Sequence, residues 1–345
     1  MGQNLDDELL SELEVLQKEN EALKEGQAQI NLAIKKLLDI IQEQERSLRA
    51  VDRLSFVNRI RLESLPYEMQ DKSYVSPIFY PMVMEPSDTV DKVVRGKSIG
   101  RFGDGEFGII AGVKRWNFQS ESDYLSKRLV EVLRSEEEGF LVGINPTFYI
   151  NLESMPEVNA DAIREYMWPD VRRFHAELLD PDRVYADALA FFIKTDEEYR
   201  SVKRLWDNRD ITIIEGEYTR MGVGNDLYDS CRSIRRILCP AENAIDRYDE
   251  ILETALKESK DRLILIALGP TATVLAYDLF KAGFQAVDIG HIDLNYEMML
   301  RNVDRMDYLA IPYKYCNADE AADTKRDIPD VNDEVYLSEI VARIV

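Results

Sequence analysis

The alternation of short apolar segments with amphipathic segments constrains the fold of this chain more than any other feature. The apolar segments have the length and composition of strands, and they lie at 98–102, 140–144, 184–188, 211–214, 234–238, 263–268, 286–289 and 309–311. Helical patterns separate most of them, at 124–135, 160–178, 197–206, 244–257 and 271–282. Such alternation predicts βαβ units and an α/β, Rossmann-like domain around a mostly parallel sheet. Because the segment 263–268 is apolar throughout, we expect it to be a central strand covered on both faces.

The first fifty residues follow a heptad pattern instead. One row of apolar residues contains Leu9, Leu16, Leu23, Ile30 and Leu37, and the other contains Leu13, Ile34, Ile41 and Leu48. We assign the first row to position d and the second to position a, which places Asn20 and Gln27 at a. Leucine at d with a buried asparagine at a favours a parallel two-stranded coiled coil. The alternative is a single amphipathic helix packed on its own domain. The pattern lasts about six heptads, which favours the coiled coil and a parallel homodimer through residues 1–50.

Composition and the positions of the prolines indicate the remaining domain organisation and the class of protein. Four prolines between residues 51 and 86 indicate a connector, and the α/β domain is expected over 87–345. The formal net charge of −22 argues against nucleic acid or an anionic membrane surface as the main partner. We find no secretory signal and no apolar run that could span a bilayer. The three cysteines form no CxxC pair, so we expect reduced thiols and a cytoplasmic protein.

A pair of carboxylates follows the first long strand. Asp104 and Glu106 stand on either side of Gly105, and Gly103 precedes them. If this turn is extended, both carboxylates can reach one hard cation, and Mg²⁺ or Mn²⁺ commonly shares such ligands with substrate phosphates. A solvated acidic turn is the competing interpretation.

Two further strand ends carry glycine and polar residues. The loop 216–227 contains Arg220 and three glycines, and it could cradle phosphate, although it matches neither a Walker A loop nor a GxGxxG fingerprint. Gly269, Pro270 and Thr271 follow the segment 263–268 and open a helix whose N-terminus is a plausible anion site. Thr271 could equally be a helix cap.

The segment 291–297 carries the candidate general bases. If it is helical, Asp293 and Glu297 share one face, and either carboxylate could activate an acceptor hydroxyl. His291 could do the same or bind phosphate, although a structural histidine is the commoner case. The aromatic residues at 116–118 and 148–149 could stack on a sugar, but such residues more often belong to the core.

Taken together, these motifs resemble the bacterial GT-D fold glycosyltransferases, a family first catalogued as a domain of unknown function. They occur in a fixed order over roughly residues 85–315: RFGDGEF, RMGVGNDLYD, CPAENA, ALGPTATVLAYDL and VDIGHIDLNYE. The family includes a glucosyltransferase acting on serine-rich adhesin glycans.

The resemblance implies a metal-dependent hexosyltransferase that uses a nucleotide-sugar donor, with UDP as the nucleotide and glucose as a candidate sugar. It implies a DxE metal motif at Asp104 and Glu106, with Arg101, Gly103 and Gly105 beside it. Further binding residues implied are Gly222, Gly224, Asn225, Asp226, Gly269, Pro270 and Thr271, with His291 and Asp293 at the last strand turn. The acceptor would be a glycan on a protein or lipid carrier, and the coiled coil could pair with another glycosyltransferase. A nucleotide-binding scaffold and a metal-dependent phosphohydrolase are the alternatives.

Overall fold

The computed structural model describes residues 2–70, 81–112, 119–120, 122–149, 152, 157–166, 174–175, 177–303, 314 and 328–345. The chain divides into residues 1–63 and residues 64–345.

The second unit is built on a nine-stranded sheet whose pairs are all parallel. Its strands are β1 (Met82–Val83), β2 (Ser98–Phe102), β3 (Phe140–Ile144), β4 (Val184–Asp187), β5 (Asp210–Gly216), β6 (Ser233–Cys239), β7 (Leu263–Ala267), β8 (Ala286–Asp288) and β9 (Ile340–Arg343). Their order is β1-β4-β3-β2-β8-β7-β5-β6-β9. The chain proceeds from β2 through β3 to β4 toward one edge and from β5 to β6 toward the other, and β7 and β8 then fill the centre between β5 and β2. Open α/β sheets bind ligands where successive connections run in opposite directions.

The helices described in the structure vary widely in length. They are α1 (Gly2–Gln70), α2 (Pro86–Val94), α3 (Asp104–Ile110), α4 (Asp123–Leu133), α5 (Glu157–Tyr166), α6 (Asp196–Lys203), α7 (Tyr248–Ala255), α8 (Pro270–Lys281), α9 (Ile292–Arg301) and α10 (Glu334–Glu339). Short 3₁₀ turns cover Pro146–Tyr149 and Ala244–Arg247.

Apolar side chains on the two faces of the sheet form two separate cores. Strand β7 shows the principle, since Ile264 and Ile266 belong to one core while Leu263 and Leu265 belong to the other. All four side chains are fully buried, as predicted for a central strand. Burying one such side chain contributes about 1.5–3 kcal/mol. The two covered faces hold the sheet rigid, and its strand ends therefore stay fixed.

The sequence patterns locate most of the sheet correctly. Seven of the eight predicted strands coincide with β2 to β8 within two residues, and the eighth, 309–311, lies outside the described residues. Strands β1 and β9 were not predicted, because they are short and stand at the sheet edges. The turn at Asp104–Glu106, expected to be extended, is instead the first turn of helix α3.

Helix α1 continues through residue 50 into the segment predicted as a connector. Among the heptad residues whose side chains are described, Leu23 is 73% exposed and Leu37 58%. Beyond residue 50, Val51 and Leu62 fall on the d and a positions and are 60% and 71% exposed, whereas the polar Ser55 and Asn58 interrupt the two rows between them. Sixty-nine residues of helix span about 100 Å. No helix among the described residues combines the length and the apolar character needed to cross a bilayer.

Candidate active site

A pocket of about 380 Å³ opens at the carboxyl ends of the central strands. It is lined by residues that follow seven strands, from β2 to β8. The two segments singled out in the sequence, 101–106 and 269–270, lie on its wall. The topology explains their convergence, because parallel strands bring their carboxyl ends to one edge of the sheet.

The acidic wall of the pocket is the first turn of α3. Asp104 and Glu106 both line the pocket, and Glu106 Oε2 accepts a hydrogen bond of 2.7 Å from the Gly103 backbone N–H. Glu106 therefore caps α3 and satisfies a donor that helices leave unpaired. This capping explains how the segment GDGE can start a helix although it contains two glycines.

Burial sets the charge state of Glu106. Removal from water, followed by the negative charge of Asp288, raises the pKa of Glu106 to about 7. The hydrogen bond from Gly103 opposes the shift, and Asp104 adds to it. The pocket therefore concentrates three carboxyl groups, and a cation or a proton among them would relieve their repulsion.

Arg101, in strand β2, forms hydrogen bonds with residues at the carboxyl ends of β4 and β8. Its Nη2 donates to Asp288 Oδ1 at 3.0 Å, and its Nη1 donates to the Ala188 carbonyl at 3.0 Å. Gly290 has φ +56°, and a Cβ there would lie 1.8 Å from Arg101 Nη2. Only glycine combines this backbone conformation with room for the guanidinium. Thr273 Oγ1 donates to the Arg101 carbonyl at 2.8 Å, which ties α8 to the same wall.

The N-terminus of α8 forms the floor beside α3. Gly269 precedes the helix with φ +54°, and Pro270 occupies its first turn. A Cβ at Gly105 would lie 3.3 Å from Pro270 Cγ, so the α3 turn passes close to α8. The N–H groups at the start of a twelve-residue helix favour an anion. Thr271 is fully buried, its Oγ1 donates to Gln119 Oε1 at 3.3 Å, and it does not line the pocket.

The far side of the pocket was predicted in part. It is formed by Gly216 and Thr219, which belong to the predicted loop 216–227 after β5, and by Pro240–Glu242 after β6, which were not predicted as site residues. A Cβ at Gly216 would meet Ala241 Cα at 3.3 Å, so the two loops pack closely. Pro240–Glu242 belong to the segment CPAENA, which contributed to the family resemblance, but no pattern in that segment indicates a ligand.

The opposite side, after β3 and β4, was missed. Asn145 and the turn Ala188–Phe192 line it, with the exception of the buried Ala190. No motif marks these residues in the sequence. Of the aromatic residues considered for sugar stacking, Phe148 is buried in the core, the commoner case, and 116–118 lie outside the described residues.

Helix α9 confirms the expected helical spacing of Asp293 and Glu297, but the pocket is lined by their neighbours His291 and Asn295. His291 is exposed at the pocket. Partial removal of its ring from water by the surrounding side chains, followed by the positive charge of Arg101, lowers the pKa of the imidazole to about 4. The imidazole is therefore neutral at pH 7.

Asp293 and Glu297 belong instead to a buried network behind the pocket. Asp293 Oδ1 accepts from the Gly222 N–H and from Asn225 Nδ2, each at 2.9 Å. Asn225 Nδ2 also reaches Glu297 Oε1 at 2.8 Å. Lys314 Nζ lies 2.5 Å from Asp293 Oδ2 and is fully buried. The network ties the glycine loop to α9.

The glycine-loop residues from Arg220 to Asp226 do not line the pocket. Arg220 is buried and its Nη1 donates to the Pro329 carbonyl at 2.7 Å. Asp226 Oδ1 accepts from the Tyr296 hydroxyl at 2.7 Å. Gly222 and Gly224 have φ of +77° and +81°, and neither lines the pocket. Of the predicted nucleotide-sugar residues, the pocket brings together Arg101, Gly103, Asp104, Gly105, Glu106, Gly269 and Pro270.

The comparisons with known proteins agree with this architecture. Residues 99–319 match the family model for the glycosyltransferase GT-D fold. A probable glycosyl transferase Gly of Streptococcus gordonii is 34% identical over 261 residues, which are 72% of this chain and 37% of the relative. Glycosyltransferase GlyD of Streptococcus pneumoniae serotype 4 is 33% identical over 267 residues, 75% of this chain and 32% of the relative. The chain thus spans about a third of the length of these curated relatives.

Two solved structures share the fold over most of their length. A new glycosyltransferase (DUF1792) from Streptococcus sanguinis superimposes with a TM-score of 0.68 at 30% identity, covering 77% of this chain and all of the other. A domain of unknown function 1792 with a distinct glycosyltransferase fold gives a TM-score of 0.67 at 29% identity, covering 78% and 97%. Since the family model matches more than half of its residues, this chain belongs to the glycosyltransferase family of the GT-D fold.

Proposed function

We propose that this protein transfers a hexose, with glucose as a candidate, from a UDP-linked donor to a glycan acceptor on a protein or lipid carrier. The observation that carries the proposal is the convergence of Asp104, Glu106 and the α8 N-terminus on one pocket. Carboxylates and a helix N-terminus side by side suit a diphosphate held together with a cation.

The residues present fit a divalent cation that the substrate helps to bind. No group of three or more His, Cys, Asp or Glu side chains in the described part of the chain is arranged to hold a metal. Mg²⁺, however, is often bound through one or two carboxylates together with substrate phosphates. Burial first, and then the nearby Asp288, raise the pKa of Glu106 to about 7, so a cation bound beside it would favour the ionised carboxylate. Asp104 and Glu106 would hold the cation, which when bound would supply Lewis-acid neutralisation of the leaving diphosphate.

The other residues would orient the donor and the acceptor. Arg101, whose guanidinium reaches the pocket wall, would hold a phosphate or a sugar hydroxyl. Among the three candidate bases, the pocket position favours His291 over Asp293 and Glu297. A neutral imidazole can accept a proton from an acceptor hydroxyl, although a pKa of about 4 makes it a weak base.

Calorimetric titration tests the donor and the cation together. We expect UDP and UDP-glucose to bind in Mn²⁺ and to bind much more weakly in EDTA, and we expect Asp104→Asn to remove the metal-dependent part. GDP and GDP-sugars serve as the comparison ligands. Lys257→Met, an exposed cation outside the pocket lining, is the control variant. If no nucleotide binds under any condition, the scaffold alternative replaces this proposal. Hydrolysis of UDP-glucose at its diphosphate, to UMP and glucose 1-phosphate, that no acceptor can divert would favour the phosphohydrolase.

We also propose that residues 1–50 form a parallel homodimer, because the apolar a and d side chains of α1 that the structure describes are exposed. A different glycosyltransferase is the alternative partner. The cytoplasm is the proposed location, since the chain lacks the paired cysteines of a disulfide framework.

A further inference from the structure

Phe192 is an exposed aromatic residue on the lining of the pocket. Its side chain is 40% exposed although it lines the pocket, whereas the adjacent Phe191 is 1% exposed and belongs to a core. Leu189 lines the pocket from the same turn. Phe192 therefore contributes less to the core than its size allows, and its ring remains available to a ligand.

The turn that carries Phe192 is held in place before any ligand arrives. Asp187 Oδ1 accepts from the Leu189 N–H at 2.6 Å, and the Leu189 carbonyl accepts from the Phe192 N–H at 2.8 Å. Arg101 Nη1 donates to the Ala188 carbonyl at 3.0 Å. Binding of a ligand here would cost little ordering entropy of the protein, because these three hydrogen bonds already fix the backbone of the turn.

Asn145 adds a polar group to the same side of the pocket. Its Oδ1 accepts from the Thr147 N–H at 3.0 Å and from the Thr147 hydroxyl at 2.7 Å. The hydrogen bonds among the described residues leave its Nδ2 without an acceptor. An apolar ring beside an amide donor matches a pyranose, which presents C–H groups on one face and hydroxyls around its rim.

The order of the strands indicates which part of a donor would reach this side. The α3 and α8 N-termini follow β2 and β7 at the centre, the loops after β5 and β6 lie on one side, and Asn145 and Phe192 follow β3 and β4 on the other. A diphosphate at the centre would place its nucleoside toward one side and its sugar toward the other.

We infer that Phe192 and Leu189 form a stacking platform for a pyranose ring, with Asn145 Nδ2 donating to a ring hydroxyl. This inference rests on the proposed function. The ring belongs either to the transferred sugar of the donor or to the acceptor glycan, since both present the same chemistry.

Binding measurements on the full-length protein separate these sources. The probes are UDP, UDP-glucose, and methyl β-glucoside in the presence of UDP, all with Mn²⁺. We compare wild type with Phe192→Ala, with Phe192→Trp, which keeps an aromatic ring, and with Leu256→Ala, an exposed apolar residue outside the pocket lining. For Phe192→Ala we expect sugar binding to weaken by about tenfold while UDP binding is unchanged. Phe192→Trp and Leu256→Ala should retain wild-type sugar binding.

The outcomes are distinct. If Phe192→Ala removes the advantage of UDP-glucose over UDP, the ring is the donor sugar, and if it weakens only methyl β-glucoside, the ring is the acceptor. Unchanged binding of both probes, or no binding of either by wild type, overturns the inference. A lower melting temperature with intact sugar binding would also overturn it, by assigning Phe192 a structural role through Lys194, whose Nζ lies 5.7 Å from its ring centroid. Nucleotide binding that fails while methyl β-glucoside still depends on Phe192 would contradict the proposed donor but not the platform.

Discussion

At the scale of single residues, Glu106 combines a structural and a chemical role. Its carboxylate caps α3 through Gly103, and the same carboxylate sits beside Asp288 and Asp104 in the pocket. Capping favours the charged form, whereas burial and the neighbouring carboxylates favour the neutral form. The second effect prevails, since the pKa rises to about 7.

This raised pKa predicts a specific dependence of stability on pH without metal. Because folded Glu106 holds its proton more tightly than the unfolded chain, its contribution to stability is fully present below about pH 4.5 and is lost as pH rises through about 7. We expect the unfolding free energy of wild type, relative to Glu106→Gln, to fall by on the order of 3 kcal/mol across this window. Urea unfolding in EDTA at pH 4.5, 6 and 8 measures it. The amide introduced by Glu106→Gln keeps an oxygen that can accept from Gly103, so this variant is a matched reference. A constant difference between the two proteins would show that Glu106 titrates normally.

Gly290 permits the position of Arg101. We expect Gly290→Ala to displace the guanidinium from Asp288, because the new Cβ would lie 1.8 Å from Arg101 Nη2. The left-handed backbone adds a cost of about 1–2 kcal/mol. Nucleotide binding should therefore weaken together with stability.

Gly283→Ala provides the control for that variant. Gly283 also has a positive φ, of +89°, but a Cβ there would meet only Lys260, 3.3 Å away, outside the pocket lining. Calorimetry and thermal unfolding should therefore show a stability loss for both variants and a binding loss for Gly290→Ala alone. Equal losses of nucleotide binding in the two variants would show that backbone strain, and not displacement of Arg101, weakens binding.

At the scale of elements, the strands of the sheet could be predicted from the sequence, but the roles of the loops that follow them could not. Short segments rich in apolar residues mark β2 to β8, and in β7 the apolar run is continuous because that strand is buried on both faces. The glycine loop after β5 looks like a phosphate cradle in the sequence, but its Gly222 N–H donates to Asp293, a residue 71 positions later. No local pattern reveals such a partner. Asn145 and Phe192 were missed for a related reason, because only the strand order brings them to the pocket.

The buried network between the glycine loop and α9 predicts a structural role for Asp293. We expect Asp293→Asn to destabilise the protein by about 3–5 kcal/mol, because it leaves the buried Lys314 ammonium poorly compensated. The double variant Asp293→Asn, Lys314→Met should recover part of this loss, since it removes the unpaired charge. Urea unfolding and transfer rates measured together decide the role of Asp293. A large fall in kcat at unchanged stability would instead identify it as the catalytic base.

At the scale of the whole molecule, the two units of the chain differ in how far their apolar side chains are buried. Residues 64–345 bury theirs in the two cores of the sheet. In residues 1–63, the described a and d side chains of α1 stay exposed, for example Ile34 at 50% and Ile41 at 49%. A helix of this length with an exposed apolar stripe gains most of its stability by packing against another helix.

The coiled coil is testable on the full-length chain. Light scattering should give twice 39.9 kDa for wild type, and Ile34→Glu with Ile41→Glu should reduce the mass to 39.9 kDa by placing like charges in the seam. Lys35→Glu with Gln42→Glu is the control, because it adds acidic side chains one position away from the same seam, on exposed residues. The control should remain dimeric. A monomeric wild type, or a dimer that survives both glutamates in the seam, would contradict the homodimer and leave a different chain as the partner of α1.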